Sequence, residues 1–107
     1  MNGWISLIFA GFFEVGFTTM MKLSNGFSRP VFGAGFLVCA VTSFYFLNRS
    51  LTQIPIGTAY AIWTGIGAFG TAVIGMVFFR DPATPLRMLF LLTLIGSIVG
   101  LRFVAAE

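Results

Sequence analysis

The sequence predicts an all-α integral membrane fold of four transmembrane helices, and three observations carry that prediction. Six basic and three acidic residues are the only charges among 107, or 8%, where a soluble domain carries roughly 25%. Apart from Glu14, Arg102 and Glu107, those charges lie in short patches that separate four apolar runs. Three of the runs have a proline at their head, where a helix start loses no needed hydrogen bond.

The runs follow in order. At 1.5 Å rise per residue, a hydrocarbon core of about 30 Å takes about 20 residues. The first run, residues 2–21, carries one charge, Glu14, and ends in the polar patch "KLSNGFSRP". The second, residues 31–48, is uncharged and closes in "NRSLTQIP". The third, residues 55–79, is uncharged from Ile56 to Phe79 and gives way to "RDPATPLR". The fourth, residues 85–103, is uncharged from Met88 to Leu101 and reaches spanning length with Thr84–Leu86 and a snorkelling Arg102. Pro30, Pro55 and Pro85 mark helix starts, with Ser28, Thr52 and Thr84 upstream as candidate caps. The whole chain, 1–107, is expected to be a single four-helix domain, with no soluble head, linker or tail.

Composition also excludes functions. The first run lacks a basic leader and an A-x-A-like site and carries an acid, so it does not read as a cleavable signal peptide. Cys39 stands alone, which provides no disulfide framework. There is no histidine, so the common acid/base and metal chemistries lack material; no enzyme, cofactor or metal site is expected. The net charge of +3 comes from single residues at helix ends, suited to lipid headgroups rather than nucleic acid.

Glu14 is the informative residue, set in "FAGFFEVGF". An ionised side chain at mid-bilayer costs at least about 2.5–3.5 kcal/mol, so this one should face a protein interior or a wet cavity. One reading is a structural acid tied to a hydroxyl or to Lys22. Glutamate is costly glue, however, because Ser, Thr, Asn or Gln joins helices more cheaply. Lys22 also lies eight residues on, about 12 Å along the helix. The other reading is binding. A carboxylate can hold either a proton or an organic cation, and their competition for one acid couples two fluxes across a membrane.

Neighbouring positions fit the second reading. Ala10, Gly11, Phe17, Thr18 and Met21 share the face of Glu14 by helical spacing. In the third run, Tyr60, Trp63, Thr64 and Gly67 form one stripe. Its aromatic rings either anchor the helix at the interface or attract a cation through their faces. Ser43 adds a hydroxyl within the second run, and such a serine commonly bonds its own helix backbone. Gly65, Gly67 and Gly70 in the third run are either packing sites or a bend. Gly96 and Gly100 have the G-x-x-x-G spacing of an association face. Association is expected on size, because four helices leave little room for a gated solute path. Loops one and three hold four basic residues against two on the other side, a weak bias that leaves insertion direction open.

With these residues assembled, the chain resembles the small multidrug resistance family over nearly its full length. The resemblance is carried by "AGFFEVGFTTMMKLSNGFSR", "SFYFL", "IPIGTAYAIWTGIGAFGTAVIG" and "LIGSIVGLR". It implies a multi-pass protein of the bacterial plasma (inner) membrane, working as an antiparallel dimer that exchanges protons for organic cations by alternating access. It further implies that Glu14 binds both, that Tyr60 and Trp63 line the cavity, and that Gly11 and Ser43 belong to the binding region. Gly65 and Gly67 would flex between states, and Gly96 and Gly100 would make the dimer contact. "GTAYAIWTGIGA" resembles the guanidinium exporter branch, whereas Phe17 stands where that branch usually has tryptophan. A quaternary ammonium or polyaromatic cation exporter, and one subunit of a paired heterodimeric exporter, are the alternatives within the family. Outside it, a rotor proteolipid, a lipid-carrier flippase and a small pore-forming protein remain, none of which accounts for Glu14 together with four spans, Tyr60 and Trp63.

Overall fold

The computed structural model describes residues 2–104 and folds each apolar run into one helix: α1 (Gly3–Leu23), α2 (Pro30–Ser50), α3 (Ile56–Phe78) and α4 (Pro85–Val104). Each is long and apolar enough to cross a bilayer. The connecting segments are 24–29, 51–55 and 79–84. Helices α1 and α2 run two residues beyond the ends expected at 21 and 48, taking Lys22 and Arg49 into their last turns. A cation there offsets the negative end of the helix dipole, so the charge does not terminate the helix.

Capping agrees only in part with the reading from sequence. Pro30 and Pro85 open α2 and α4, and Pro55 immediately precedes α3. The Asn2 side-chain oxygen accepts from the Trp4 N–H at 2.8 Å, and the Thr84 hydroxyl oxygen accepts from the Arg87 N–H at 3.2 Å. Ser28 and Thr52 do not cap the helices that follow them. Their hydroxyls instead donate backwards, Ser28 to the Asn25 carbonyl at 2.9 Å and Thr52 to the Arg49 carbonyl at 2.8 Å. For Thr52 the orphan carbonyls at the end of α2 compete for the hydroxyl, and for Ser28 the turn after α1 does.

Packing centres on α1, which lies between α2 and α3; α4 packs on α3. Leu7, Ala10, Ile54, Ala59, Ile62 and Trp63 form the buried core. Principal extents of 45 × 35 × 18 Å describe a slab, thinner than two helices of about 10–12 Å diameter each. None of the described residues of α4 is buried. Leu92, Val99 and Phe103 stand exposed there, as do Phe12 on α1 and Leu37, Val38 and Val41 on α2. Such a surface suits hydrocarbon, not water.

One backbone feature places an acid beside the helix α3. Past α3 the chain turns through Arg80 at φ 60°, a left-handed conformation that costs a non-glycine residue about 1–2 kcal/mol. The turn folds Asp81 back along the helix, where its N–H donates to the Gly75 carbonyl at 3.0 Å. A Cβ on Gly75 would overlap the Asp81 carboxylate, so the absent side chain makes room for the acid.

Candidate functional site

Glu14 lies just past the middle of α1, on the side turned to α3. There the carboxylate rests against Gly67, and a Cβ at that glycine would overlap it. One turn earlier, Gly11 receives Ile66, whose Cγ2 would lie 2.5 Å from an added Cβ. Two glycines, one per helix, thus bring α1 and α3 into close approach around the acid. Its Oε1 is buried without a hydrogen-bond partner among the described residues. Neither a hydroxyl nor Lys22 holds that oxygen; Lys22 instead points its ammonium at the Phe79 ring, 5.9 Å from the centroid.

Glu14 lines a cavity of about 370 Å³ together with Thr18, Thr64, Gly67, Thr71, Asp81 and others. That volume lies near the lower end of the roughly 300–1,000 Å³ usual for small-molecule sites. The Thr18 and Thr71 hydroxyls pair across α1 and α3 at 2.6 Å. They separate this cavity from a smaller one of about 160 Å³ that reaches Lys22 and Phe79.

Ser43 and Trp63 make a second cluster. The Trp63 indole N–H donates to the Ser43 hydroxyl oxygen at 3.0 Å, and that hydroxyl donates to the Ala10 carbonyl at 2.7 Å. The serine therefore does not bond its own backbone. It ties α1, α2 and α3 together, fully buried. Aromatic rings continue the cluster: Phe17 to Phe44 at 6.3 Å between centroids, Phe44 to Trp63 at 5.6 Å, and Trp63 to Tyr60 at 5.7 Å. Tyr60 is 59% exposed and Trp63 7%, so the tyrosine stands at the open end of the row.

The stripe Tyr60, Trp63, Thr64 and Gly67 does not act as one wall. At 100° per residue it spans an arc of about 100°, and α3 presents the middle of that arc, Gly67, to α1. Trp63 falls on the side of α2, whereas Thr64 falls on the side of the acid's cavity. Within one chain, then, Glu14, Thr18 and Gly67 come together, and Ser43, Trp63, Tyr60 and Phe17 come together through Phe44. Gly65 takes Ile98 of α4, with Cδ1 2.7 Å from an added Cβ, so its place is the α3–α4 contact. Gly96 and Gly100 have nothing within 4 Å of an added Cβ. Phe44, Thr71 and Asp81 were not singled out as site residues from sequence, because a phenylalanine, a threonine and a loop acid are ordinary residues until their neighbours are known.

Fold and site define a multi-pass membrane protein with a carboxylate in a cavity of its spanning region. The family model described as Small Multidrug Resistance protein matches residues 2–95, and the chain belongs to that family. It is 41% identical over 99 residues to a guanidinium exporter of Yersinia pseudotuberculosis, covering 92% of this chain and 95% of that one. Guanidinium exporters of Salmonella typhimurium and Escherichia coli K12 are 39% and 37% identical, covering 95% and 92% of this chain and 97% and 94% of theirs. Membership and four spanning helices make this a multi-pass protein of the bacterial inner membrane.

Proposed function

We propose that this protein is a proton-coupled antiporter that exports small organic cations, guanidinium or substituted guanidinium, by alternating access. The observation that carries the reading is Glu14, which lines the cavity while its Oε1 is buried with no hydrogen-bond partner among the described residues. A buried acceptor left unmatched costs about 1–3 kcal/mol, and either a proton or a cation removes that cost. The names of the similar exporters supply the cation class.

In this mechanism the empty, outward-open carboxylate takes a proton and becomes neutral. The site reorients, and the proton leaves inside as a guanidinium cation takes its place. The cation then crosses on the return. Since one acid cannot hold both, each half-cycle requires one occupant, which couples the fluxes. Ser43 fixes the Trp63 indole, and the rings from Phe17 to Tyr60 form an apolar face that favours a desolvated cation. Gly11 lets Ile66 approach, and Thr18 offers its hydroxyl beside the acid. Gly65 and Gly67 are where α3 flexes. Two subunits, antiparallel and either identical or a paired homologue, enclose the path and join through Gly96 and Gly100.

The test is transport in proteoliposomes. Adding guanidinium should change internal pH in vesicles with wild-type protein and leave it unchanged with Glu14→Gln. An equal proton flux in that variant contradicts the reading, and loss of membrane potential without added cation would indicate a pore. The row of rings also fits a second reading, a quaternary ammonium or polyaromatic cation exporter. Faster exchange with tetrapropylammonium than with guanidinium would select it.

A further inference from the structure

The cavity of Glu14 has a second carboxylate. Asp81 lines it from the segment after α3, and so does Arg87 from the first turn of α4. The Arg87 Nη2 lies 3.9 Å from the Asp81 Oδ2, with their side chains 37% and 47% exposed; among the described residues it is the one ion pair within 4 Å. Asp81 is placed there by the chain, through the left-handed Arg80, its own N–H on the Gly75 carbonyl and the room at Gly75. It also borders the smaller cavity that holds Lys22. The passage to Glu14 is thus edged by an acid whose current partner is a guanidinium belonging to the protein.

We propose that Asp81 is an entry subsite for the transported cation, and that the Arg87 guanidinium occupies it until an incoming cation takes its place. The proposal rests on the export of organic cations set out above and adds the residue that first receives them. Its chemistry is a like-for-like exchange. A guanidinium presents a planar fork of N–H donors that fits a carboxylate, and a free guanidinium presents the same fork as Arg87. Exposed pairs of this kind are held weakly, so the arginine can be displaced at modest cation concentration. Once displaced, it leaves the mouth open toward Thr71, Thr18 and Glu14. With no cation present, it stays beside the acid at the edge of the cavity.

The experiment uses full-length protein in proteoliposomes and reads the guanidinium concentration giving half-maximal proton flux. Asp81→Asn should raise that KM about fivefold, the size expected of one partly exposed charge contact, with the maximal rate nearly unchanged. Arg87→Gln should lower KM, because a competitor has been removed. The double variant should match Asp81→Asn alone, since the arginine acts only through the aspartate. Asp81→Asn leaves the lysine and arginine count that sets insertion untouched. Arg87→Lys also keeps that count and, with a shorter side chain holding its charge farther from Asp81, should lower KM in the same direction as Arg87→Gln. If the pair merely braces the loop, both single substitutions will move KM the same way or not at all, and the inference is overturned. A wild-type protein that moves no protons with guanidinium defeats the export reading itself, whereas active wild type with unmoved variants defeats only the role of Asp81.

Discussion

At Glu14 the structure offers close packing without polar satisfaction, since the carboxylate lies against Gly67 and its Oε1 has no partner. A side chain kept for stability would be bonded. Replacing it by a neutral amide should therefore leave the folded protein within about 1 kcal/mol of wild type, or more stable, as measured by unfolding in detergent micelles. The same Glu14→Gln variant should transport nothing. Ser43 makes the contrast, because its hydroxyl both donates to Ala10 and accepts from Trp63. Ser43→Ala should lower stability by about 1 kcal/mol in the same measurement. The acid was legible in the sequence because a lone charge in an apolar run has few explanations. The serine was legible only as a hydroxyl, as its partners belong to two other helices and no local pattern brings them near.

For a helix, the question is what its glycines do. From sequence, Gly65, Gly67 and Gly70 read first as packing sites, with a bend as the alternative. In the structure α3 is one helix from Ile56 to Phe78, and each of these glycines meets a neighbour: Ile98, Glu14 and Val15 respectively. A methyl group at Gly67 displaces the carboxylate while leaving the helix intact and raising its propensity by about 1 kcal/mol. Gly67→Ala should thus cut guanidinium-driven proton flux by about tenfold or more, as a misplaced reacting group does, with helical content unchanged by circular dichroism. Equal flux would show that the acid does not need this position. The four runs and their prolines were readable because hydrocarbon thickness and hydrogen bonding leave few alternatives to spanning helices. Helix ends were less so, as Lys22 and Arg49 show: a charge can end an apolar run without ending the helix.

On the scale of the molecule, one chain is a slab, and α4 covers little of itself. Its inward side meets α3 through Leu94 and Ile98, whereas among the described residues nothing lies within 4 Å of a Cβ added at Gly96 or Gly100. A second subunit there would complete the enclosure that the open cavity lacks. Replacing both glycines by valine should shift the protein toward monomer in cross-linking of native membranes and reduce transport in parallel; undiminished dimer would place the contact elsewhere. How α4 packs and how flat the chain is were not readable, because lipid-facing and partner-facing residues are equally apolar in composition. Acidity should act on the assembled protein in one direction. Protonation removes the charge that attracts the cation, so guanidinium affinity should fall as pH falls, by about tenfold per unit once most of the acid is protonated. The most direct test is a proton count on purified protein in weak buffer as guanidinium is added. Competition for Glu14 predicts that binding releases protons, and that Glu14→Gln releases none. Guanidinium binding to the wild-type protein with no proton released, even at a pH low enough to weaken that binding, would contradict it.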